Sequence, residues 1–362
     1  MTILFVNRDM GLGGGNTFLR SVGPALRNRG HRVYLVSAGG EVHHQLNLAF
    51  DGVFIHGLRY PWESFWLARL MRRLGVDVVV PMMPLQYGVV TKACSKTNAA
   101  MVLNLNAPFK ASRVVRYLGA AQAITVMNEY QRRYFVSLGA EPERITRLYW
   151  MVDWDHFEQY AGPYSERPLR IAYCSRLSST KAPLAVSFLE AAAALRSEMP
   201  ELSVQIIGRG SHVGSVRNAV DRHNAAAGAP FATLHTDVFD TAKAFATCRL
   251  VAGGNYVCIE ALAAGAHAVG AGYDGVYGLV TTANLEEAAE QYFGDHMTPI
   301  TGVERDEGSL VERFAIALRS ALLSGDGPAP ELRAQARRLF RSQDAVLPLE
   351  QALMAACGAY AH

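Results

Sequence analysis

The sequence predicts an α/β fold composed of two doubly wound domains, each a parallel sheet covered by helices. Short apolar runs rich in Val and Ile alternate with segments whose apolar residues recur at helical spacing. A β-α-β rhythm of this kind is typical of parallel sheets with helices on both faces. The rhythm restarts after Tyr160–Ser165, a Gly/Pro/Ser stretch that we interpret as a linker, and 362 residues suit two domains.

Apolar runs predict five strands in the first half of the chain and four in the second. In the first half, a glycine turn leads from the first strand into a helix over Asn16–Asn28, which Gly30 ends. In the second half, one helix is predicted over Leu184–Glu198 and another begins near Tyr256. Two such domains would face each other across a cleft, and ligands of these sheets bind at the carboxyl ends of strands. The predicted strands are Thr2–Val6, Arg32–Ser37, Asp77–Pro81, Ala100–Leu105, Ala123–Met127, Leu169–Cys174, Val204–Ile207, Leu250–Ala252 and Ala268–Val269.

The composition excludes several classes of protein. Half of the residues are apolar and 19% are charged, which argues against disorder. No window of about 18 uncharged apolar residues predicts a membrane span, and Met1–Val6 lacks the basic region of a signal peptide. Five cysteines without a C-x-x-C pair indicate reduced thiols and provide no zinc framework. We therefore expect a cytoplasmic protein.

Charge is distributed unevenly, although the net charge is only +3. Residues 1–163 contain 18 Lys and Arg against 11 Asp and Glu, whereas the remainder contains 17 against 21. The basic half could face a phosphorylated or membrane-bound ligand, while no Lys/Arg stripe or zinc-finger spacing indicates a nucleic-acid partner. Arg59–Arg73 fits either a surface that contacts anionic lipid at the inner face of a membrane or a helix whose leucines pack on the sheet.

Three segments carry residue types suited to binding a phosphorylated ligand. The first is the glycine turn after the first strand, where backbone could approach a ligand and the helix N-terminus favours an anion. It does not match the dinucleotide fingerprint, which would need glycine at Asn16 and an acidic residue at Ser37. A plain tight turn is the alternative. The glycines of this turn are Gly11, Gly13, Gly14 and Gly15.

The second and third segments follow predicted strands of the second domain. Arg176 and Lys181 lie on one loop and could converge on a diphosphate, stabilising a leaving group; two solvated cations are the alternative. Glu260 follows the Gly253-Gly254 turn and has apolar neighbours, so its carboxylate needs hydrogen-bond partners. A ribose diol would supply two donors, and an interaction with the helix dipole is the alternative.

In this order, the motifs resemble those of the retaining GT-B glycosyltransferases of family 4, over nearly the whole chain. The resemblance implies the GT-B fold, with an acceptor-binding Rossmann-like domain over residues 1–163 and a nucleotide-sugar-binding one over residues 164–344. A C-terminal helix over residues 345–362 would cross back onto the first domain. The resembling motifs are the glycine loop with Gly30-His31, Asp153–Phe157, Arg176 with Lys181, Gly208-x-Gly210 and Glu260–Gly265.

The resemblance also implies roles for individual residues. Arg176 and Lys181 would neutralise the donor diphosphate, and Glu260 would bind the ribose. The family needs no metal and no cofactor, and its co-substrate is a nucleotide-sugar such as a UDP- or GDP-sugar. The glycines and neighbours implied in donor binding are Gly13, Gly14, Gly15, Gly208, Gly210, Gly253, Gly254, Asn255 and Tyr256.

Two positions depart from the family pattern. Ala252 lies eight residues before Glu260, where the family commonly has a second glutamate, although Gly253–Asn255 resembles the glycine-rich loop of some members. Asn106 lies where many members have a histidine that contacts the sugar, and its amide could donate a hydrogen bond in the same catalytic role.

The implied activity is transfer of a sugar from a nucleotide-sugar to an acceptor with retained configuration, as in glycan or glycoconjugate biosynthesis. The acceptor could be a glycan, a lipid-linked sugar, a small molecule or a protein. Two alternatives stay open. A sugar-nucleotide epimerase would need acid/base carboxylates and histidines in the cleft, and a catalytically silent sugar-nucleotide-binding or scaffold protein is favoured by Ala252 and Asn106.

Overall fold

A computed structural model describes residues 1–359 except 12, 106–108, 274, 296–308 and 324. The chain folds into two compact units, of which the first comprises Met1–Val152 and Ser342–His362 and the second comprises Asp153–Arg341. In the described part of the chain, no helix combines the length and apolar character that crossing a bilayer requires.

The first unit is built on a seven-stranded sheet. Its strands are β1 (Thr2–Val6), β2 (Arg32–Ser37), β3 (Gly52–Ile55), β4 (Val78–Pro81), β5 (Ala100–Leu105), β6 (Ala123–Val126) and β7 (Ile145–Arg147). They lie in the order β3-β2-β1-β4-β5-β6-β7, and all neighbouring pairs are parallel. Every residue of β1, β4 and β5 is buried, as expected for central strands covered on both faces.

Helices connect these strands and bury an apolar face against the sheet. They are α1 (Gly14–Asn28), α2 (His43–Ala49), α3 (Glu63–Leu74), α4 (Pro84–Cys94), α5 (Ala111–Leu118) and α6 (Glu129–Ser137). In α1 the buried residues include Phe18, Leu19 and Val22, which carry the predicted helical spacing, and Gly30 follows at a positive φ of 85°. Leu67 of α3, Val90 of α4 and Val114 of α5 join one core with the sheet.

The second unit is built on a six-stranded sheet. Its strands are β8 (Arg170–Cys174), β9 (Ser203–Ile207), β10 (Ala232–His235), β11 (Leu250–Gly253), β12 (His267–Gly272) and β13 (Gly275–Leu279). They lie in the order β10-β9-β8-β11-β12-β13, and only the last pair is antiparallel among these strands. The helices described in this unit are α7 (Trp154–Glu158), α8 (Ala182–Leu195), α9 (Val213–Ala227), α10 (Ala242–Ala246), α11 (Tyr256–Ala263), α12 (Leu285–Glu290), α13 (Leu310–Leu322) and α14 (Pro330–Phe340).

The boundary between the two units lies between residues 152 and 153, whereas the sequence analysis places it between residues 163 and 164. Asp153 caps α7, because its Oδ1 accepts a hydrogen bond from the His156 backbone N–H at 3.3 Å. Trp154 is fully buried, and the Phe157 ring lies 6.4 Å from that of Phe245 on α10. These contacts attach α7 to the second unit, so Asp153–Phe157 begins that unit rather than ending the first.

The end of the chain belongs to the first unit. The chain returns to that unit between residues 341 and 342, whereas the sequence analysis places the return between residues 344 and 345. Two helices form it, α15 (Ser342–Ala345) and α16 (Leu347–Ala359), and α16 packs against β4, β5, β6 and β7. Glu350 of α16 accepts a hydrogen bond from Arg29 Nε at 2.6 Å, and its other oxygen lies 2.7 Å from His31 Nε2. The return of the last helix to the first sheet follows the pattern that the family resemblance implies.

All nine predicted strands occur, with ends displaced by three residues or fewer. Four observed strands have no counterpart in the prediction. They are β3, β7, β10 and β13, and each forms an outer edge of its sheet.

Candidate functional site

Both sheets have a point where the strand order reverses, and ligands of such sheets bind at the carboxyl ends of strands beside it. In the first unit it lies between β1 and β4, and in the second between β8 and β11. The glycine turn of residues 11–15 follows β1, the Arg176–Lys181 loop follows β8, and Gly254–Asn255 follows β11. The sequence-predicted segments therefore lie at the favoured edge of each sheet.

Backbone hydrogen bonds join the loop after β8 to the loop after β9. The Ser175 N–H donates to the Ile207 carbonyl at 3.1 Å, and the Leu177 N–H donates to the Arg209 carbonyl at 3.0 Å. Gly208 and Gly210 in the loop after β9 allow its backbone to approach the loop after β8 this closely. A Cβ at Gly208 would lie 1.9 Å from the Ser175 carbonyl oxygen, and one at Gly210 would lie 2.4 Å from that of Leu177. Here the glycines bring two loops together and so fix the backbone that carries Arg176.

Gly208→Ala should lower the free energy of unfolding by about 1–3 kcal/mol, because the added methyl group overpacks against rigid backbone. Urea denaturation measures the change. Gly214→Ala is the matched control, because a Cβ there meets no atom within 4 Å and alanine favours helix α9. Equal stability of the two variants would contradict the close packing of the loops.

Lys181 is held at the start of α8 by a carboxylate from a distant part of the unit. Its Nζ lies 2.8 Å from Asp295 Oδ2, and the two side chains are only 13% and 9% exposed. The same Nζ lies 4.6 Å from the ring centroid of Tyr273, whose backbone N–H donates to Asp295 Oδ1 at 3.1 Å. Buried ion pairs are stable only with such additional hydrogen bonds. The pair fixes the position of the Lys181 ammonium group.

The backbone of the Gly253-Gly254 turn lies so close to other residues that neither position has space for a side chain. A Cβ at Gly253 would lie 2.6 Å from the Cys174 carbonyl oxygen of β8. A Cβ at Gly254 would lie 3.0 Å from the Cβ of Asp295, so glycine here admits the partner of Lys181. Asn255 follows with φ at 58° and ψ at −122°, a conformation that costs a non-glycine residue free energy and is typical of functional turns.

Glu260 lies half-buried on the second turn of α11. Its Oε2 accepts a hydrogen bond from Thr241 Oγ1 at 3.3 Å. Burial raises the pKa of the Cys174 thiol at the end of β8; the charge of Glu260 raises that pKa further, and the charge of Lys181 lowers it. Lys181 lies on the loop after β8 and Glu260 on the helix after β11, and these two strands pair in parallel, so both residues follow the carboxyl ends of neighbouring strands.

In the first unit, two buried asparagines hold the glycine turn. Asn16 Nδ2 donates to the Gly11 carbonyl at 2.7 Å and to the Asp9 carbonyl at 3.1 Å, while its Oδ1 accepts from Asn7 Nδ2 at 2.9 Å. Gly14 begins α1, and a Cβ at Gly15 would meet nothing within 4 Å. The Asp9 and Gly11 carbonyls are therefore held in place, and a 15-residue helix begins at Gly14. Backbone N–H groups in the first turn of a helix have no helical partner and favour an anion.

The remaining predicted site residues differ in accessibility. Arg176 is exposed, whereas Tyr256 is only 7% exposed and contributes its side chain to the packing of α11. A ligand near Tyr256 would therefore meet its backbone. Asn106 lies outside the described residues. In the described ranges, no group of three or more His, Cys, Asp or Glu side chains is arranged to hold a metal ion.

Sequence reasoning did not identify Asp295, Thr241, Asn7 or Asn16 as parts of these sites. Asp295 lies 114 residues from Lys181 in the chain, and no local pattern marks it. Asn7 does carry a signal, since a polar residue directly after a buried strand lies at the carboxyl edge of the sheet.

Known proteins resemble this chain in part of its sequence and in its fold. The model of Glycosyltransferase Family 4 matches residues 12–156. No curated protein sequence matches the chain. HepE from Anabaena, solved in complex with UDP and glucose, has a TM-score of 0.70 and 14% identity, with 97% of this chain and 99% of HepE covered.

Two further solved structures have the same fold over nearly their whole lengths. A glycosyltransferase from Rickettsia africae has a TM-score of 0.68 and 14% identity, covering 98% of each chain. Sucrose-phosphate synthase from Thermosynechococcus elongatus has a TM-score of 0.67 and 13% identity, with 99% of this chain and 100% of the synthase covered. The family match over residues 12–156 and the shared fold agree with the resemblance: the first unit is similar in sequence to Glycosyltransferase Family 4, and the whole chain has the GT-B fold of these solved structures.

Proposed function

We propose that the protein transfers a sugar from a nucleotide-diphosphate sugar to an acceptor, with retention of configuration and without a metal ion. The observation that carries the proposal is that Lys181 and Glu260 follow the paired strands β8 and β11, between which the strand order reverses. A cation for the diphosphate and a carboxylate for the ribose are what a bound nucleotide requires. HepE, which has the same fold, was solved in complex with UDP and glucose.

In this proposal, the second unit binds the donor and the first binds the acceptor. The bond between the anomeric carbon and the diphosphate oxygen breaks, and negative charge develops on the leaving diphosphate. The acceptor hydroxyl oxygen bonds to the anomeric carbon on the same face, and the hydroxyl proton passes to the leaving diphosphate. Lys181 and Arg176 stabilise that charge in the transition state. The backbone N–H groups of Gly14 and Gly15, at the start of α1, supply donors to the acceptor.

The experiment that tests this function measures donor turnover. The purified chain is incubated with a panel of UDP- and GDP-sugars, and release of the nucleoside diphosphate is followed with and without candidate acceptors. The panel is expected to yield one donor that is hydrolysed slowly alone and consumed faster with an acceptor. Absence of turnover with all donors, despite tight nucleotide binding, would favour the second candidate.

That second candidate is a catalytically silent protein that binds a nucleotide-sugar. Ala252 favours it, because this fully buried residue of β11 offers no carboxylate to the donor sugar eight residues before Glu260. The ion pair of Lys181 with Asp295 also favours it, since a diphosphate must compete for the ammonium group. Nucleotide binding measured by calorimetry in parallel with turnover distinguishes the two candidates.

Transferase activity should persist in EDTA. The positive charge that stabilises the leaving diphosphate comes from Arg176 and Lys181 in this proposal, so a divalent ion is not needed for that role. Initial rates are measured with EDTA and with added Mg²⁺ or Mn²⁺, with a metal-dependent glycosyltransferase as the control for effective chelation. Strict dependence on either ion would contradict the proposed mechanism.

A further inference from the structure

The positive charge of the first half of the chain is concentrated in one region. Residues 59–118 contain nine Lys and Arg but only two acidic residues, Glu63 and Asp77. Both carboxylates already accept hydrogen bonds from backbone N–H groups, of Tyr60 and of Thr2. This region contains α3, α4 and α5, which contact one another in sequence order and share one core beneath them. Six of the nine cations therefore lie on a single layer of helices.

The outer face of this layer is basic on all three helices. Arg69, Arg72 and Arg73 are exposed on α3, on the side away from the buried Leu67 and Met71. The other two helices contribute exposed cations as well. These are Lys92 on α4, with Lys96 two residues after its end, and Arg113 and Arg116 on α5.

Large aromatic side chains protrude beside these cations. Trp62 and Phe65, at the start of α3, are each 65% exposed, and Tyr60 is 53% exposed. The Tyr60 and Trp62 rings stack with centroids 4.6 Å apart and planes 3° apart. Lys96 Nζ lies 4.3 Å from the centroid of the Phe65 ring. A folded chain seldom leaves three neighbouring aromatic residues this exposed without a binding partner.

We propose that Tyr60, Trp62 and Phe65, with the surrounding cations of α3, α4 and α5, form a docking surface for an anionic lipid bilayer. Aromatic rings enter the headgroup region, and Arg and Lys side chains meet negatively charged lipids while their stems remain apolar. One face of each ring is already covered, since Tyr60 and Trp62 stack on each other and Lys96 lies over Phe65. Insertion among headgroups needs only apolar volume, whereas stacking of nucleobases needs open ring faces. The proposal does not depend on catalytic activity.

The test is sedimentation of the full-length chain with vesicles of phosphatidylcholine, with and without phosphatidylglycerol. Binding is expected only to the vesicles that contain phosphatidylglycerol, and it should weaken as salt is added. The double variant Trp62→Ser, Phe65→Ser should lose binding, and serine suits the N-cap position that Trp62 occupies, so the helix is retained. The double variant Arg69→Gln, Arg73→Gln should bind more weakly by about fivefold per charge removed.

Two matched variants serve as controls. Leu48→Ser removes an equally exposed apolar side chain from α2, and Arg217→Gln removes an exposed charge from α9 of the second unit. Both should bind vesicles as the unmodified chain does. Equal sedimentation with and without phosphatidylglycerol, or unchanged binding of the Trp62/Phe65 variant, would overturn the proposal. Binding of a single-stranded oligonucleotide in place of vesicles, lost in the Trp62/Phe65 variant, would assign the surface to nucleic acid and also overturn it.

Discussion

Arg176→Ala is expected to lower kcat by roughly 30- to 1,000-fold, because a lost charge-assisted contact to the diphosphate costs about 2–4 kcal/mol in the transition state. The Arg176 side chain is exposed, so its removal leaves the core intact. Steady-state turnover of the donor measures the effect, and thermal unfolding verifies the fold. A near-normal rate would remove Arg176 from the diphosphate site.

Lys181→Ala should reduce turnover to a similar extent, but it also leaves Asp295 as a buried carboxylate without its partner. The double variant Lys181→Ala, Asp295→Ala removes both charges and should recover stability without recovering turnover. Lys243→Ala is the matched control, since Lys243 is an exposed lysine on α10 of the same unit. If the double variant turned over donor at the normal rate, Lys181 would have only a structural role.

Glu260→Ala should weaken binding of the nucleoside diphosphate by roughly 10- to 150-fold, because each hydrogen bond to a charged group is worth about 1.5–3 kcal/mol. Calorimetric titration measures the affinity, and a sharper readout compares UDP with 2′-deoxy-UDP. A carboxylate that binds the ribose diol should discriminate between the two, and Glu260→Ala should lose that discrimination.

Thr241→Val provides the control for Glu260. It removes the hydroxyl that donates to Glu260 Oε2 but leaves the carboxylate in place. It should therefore retain discrimination between UDP and 2′-deoxy-UDP. Unchanged affinity and discrimination in Glu260→Ala would mean that Glu260 serves only the folding of α11.

The central strands of both sheets could be predicted from the sequence, whereas the edge strands could not. β1 and β5 are buried along their whole length and appear as continuous apolar runs. β3 and β7 are short and only partly buried, as in Gly52–Ile55, where no residue is fully buried. An edge strand has a neighbour on one side only, so its apolar run can be short: β3 has only Val53-Phe54-Ile55, and β7 has the single buried residue Ile145.

The position of a candidate site residue could be predicted when it depends on the strand directly before that residue. Contacts between residues that are far apart in the chain could not be predicted. Arg176, Lys181 and Glu260 follow strands, so their place at the carboxyl edge follows from the fold class. The partnership of Lys181 with Asp295 depends on a close approach that Gly254 permits, and nothing near either residue indicates it. The glycines of Gly208-x-Gly210 are visible in the sequence, but their packing against Ser175 and Leu177 requires the structure.

The return of α16 to the first sheet has a consequence for the order of folding during synthesis. Glu350 contacts Arg29 and His31 across 321 and 319 residues, so the ribosome translates the whole second unit before these contacts can form. Until then β4, β5, β6 and β7 lack the helix that covers them, and apolar surface stays open to solvent or chaperones. The second unit, continuous in the chain, can complete its fold first. Of the two units, the one whose synthesis begins earlier is therefore completed later.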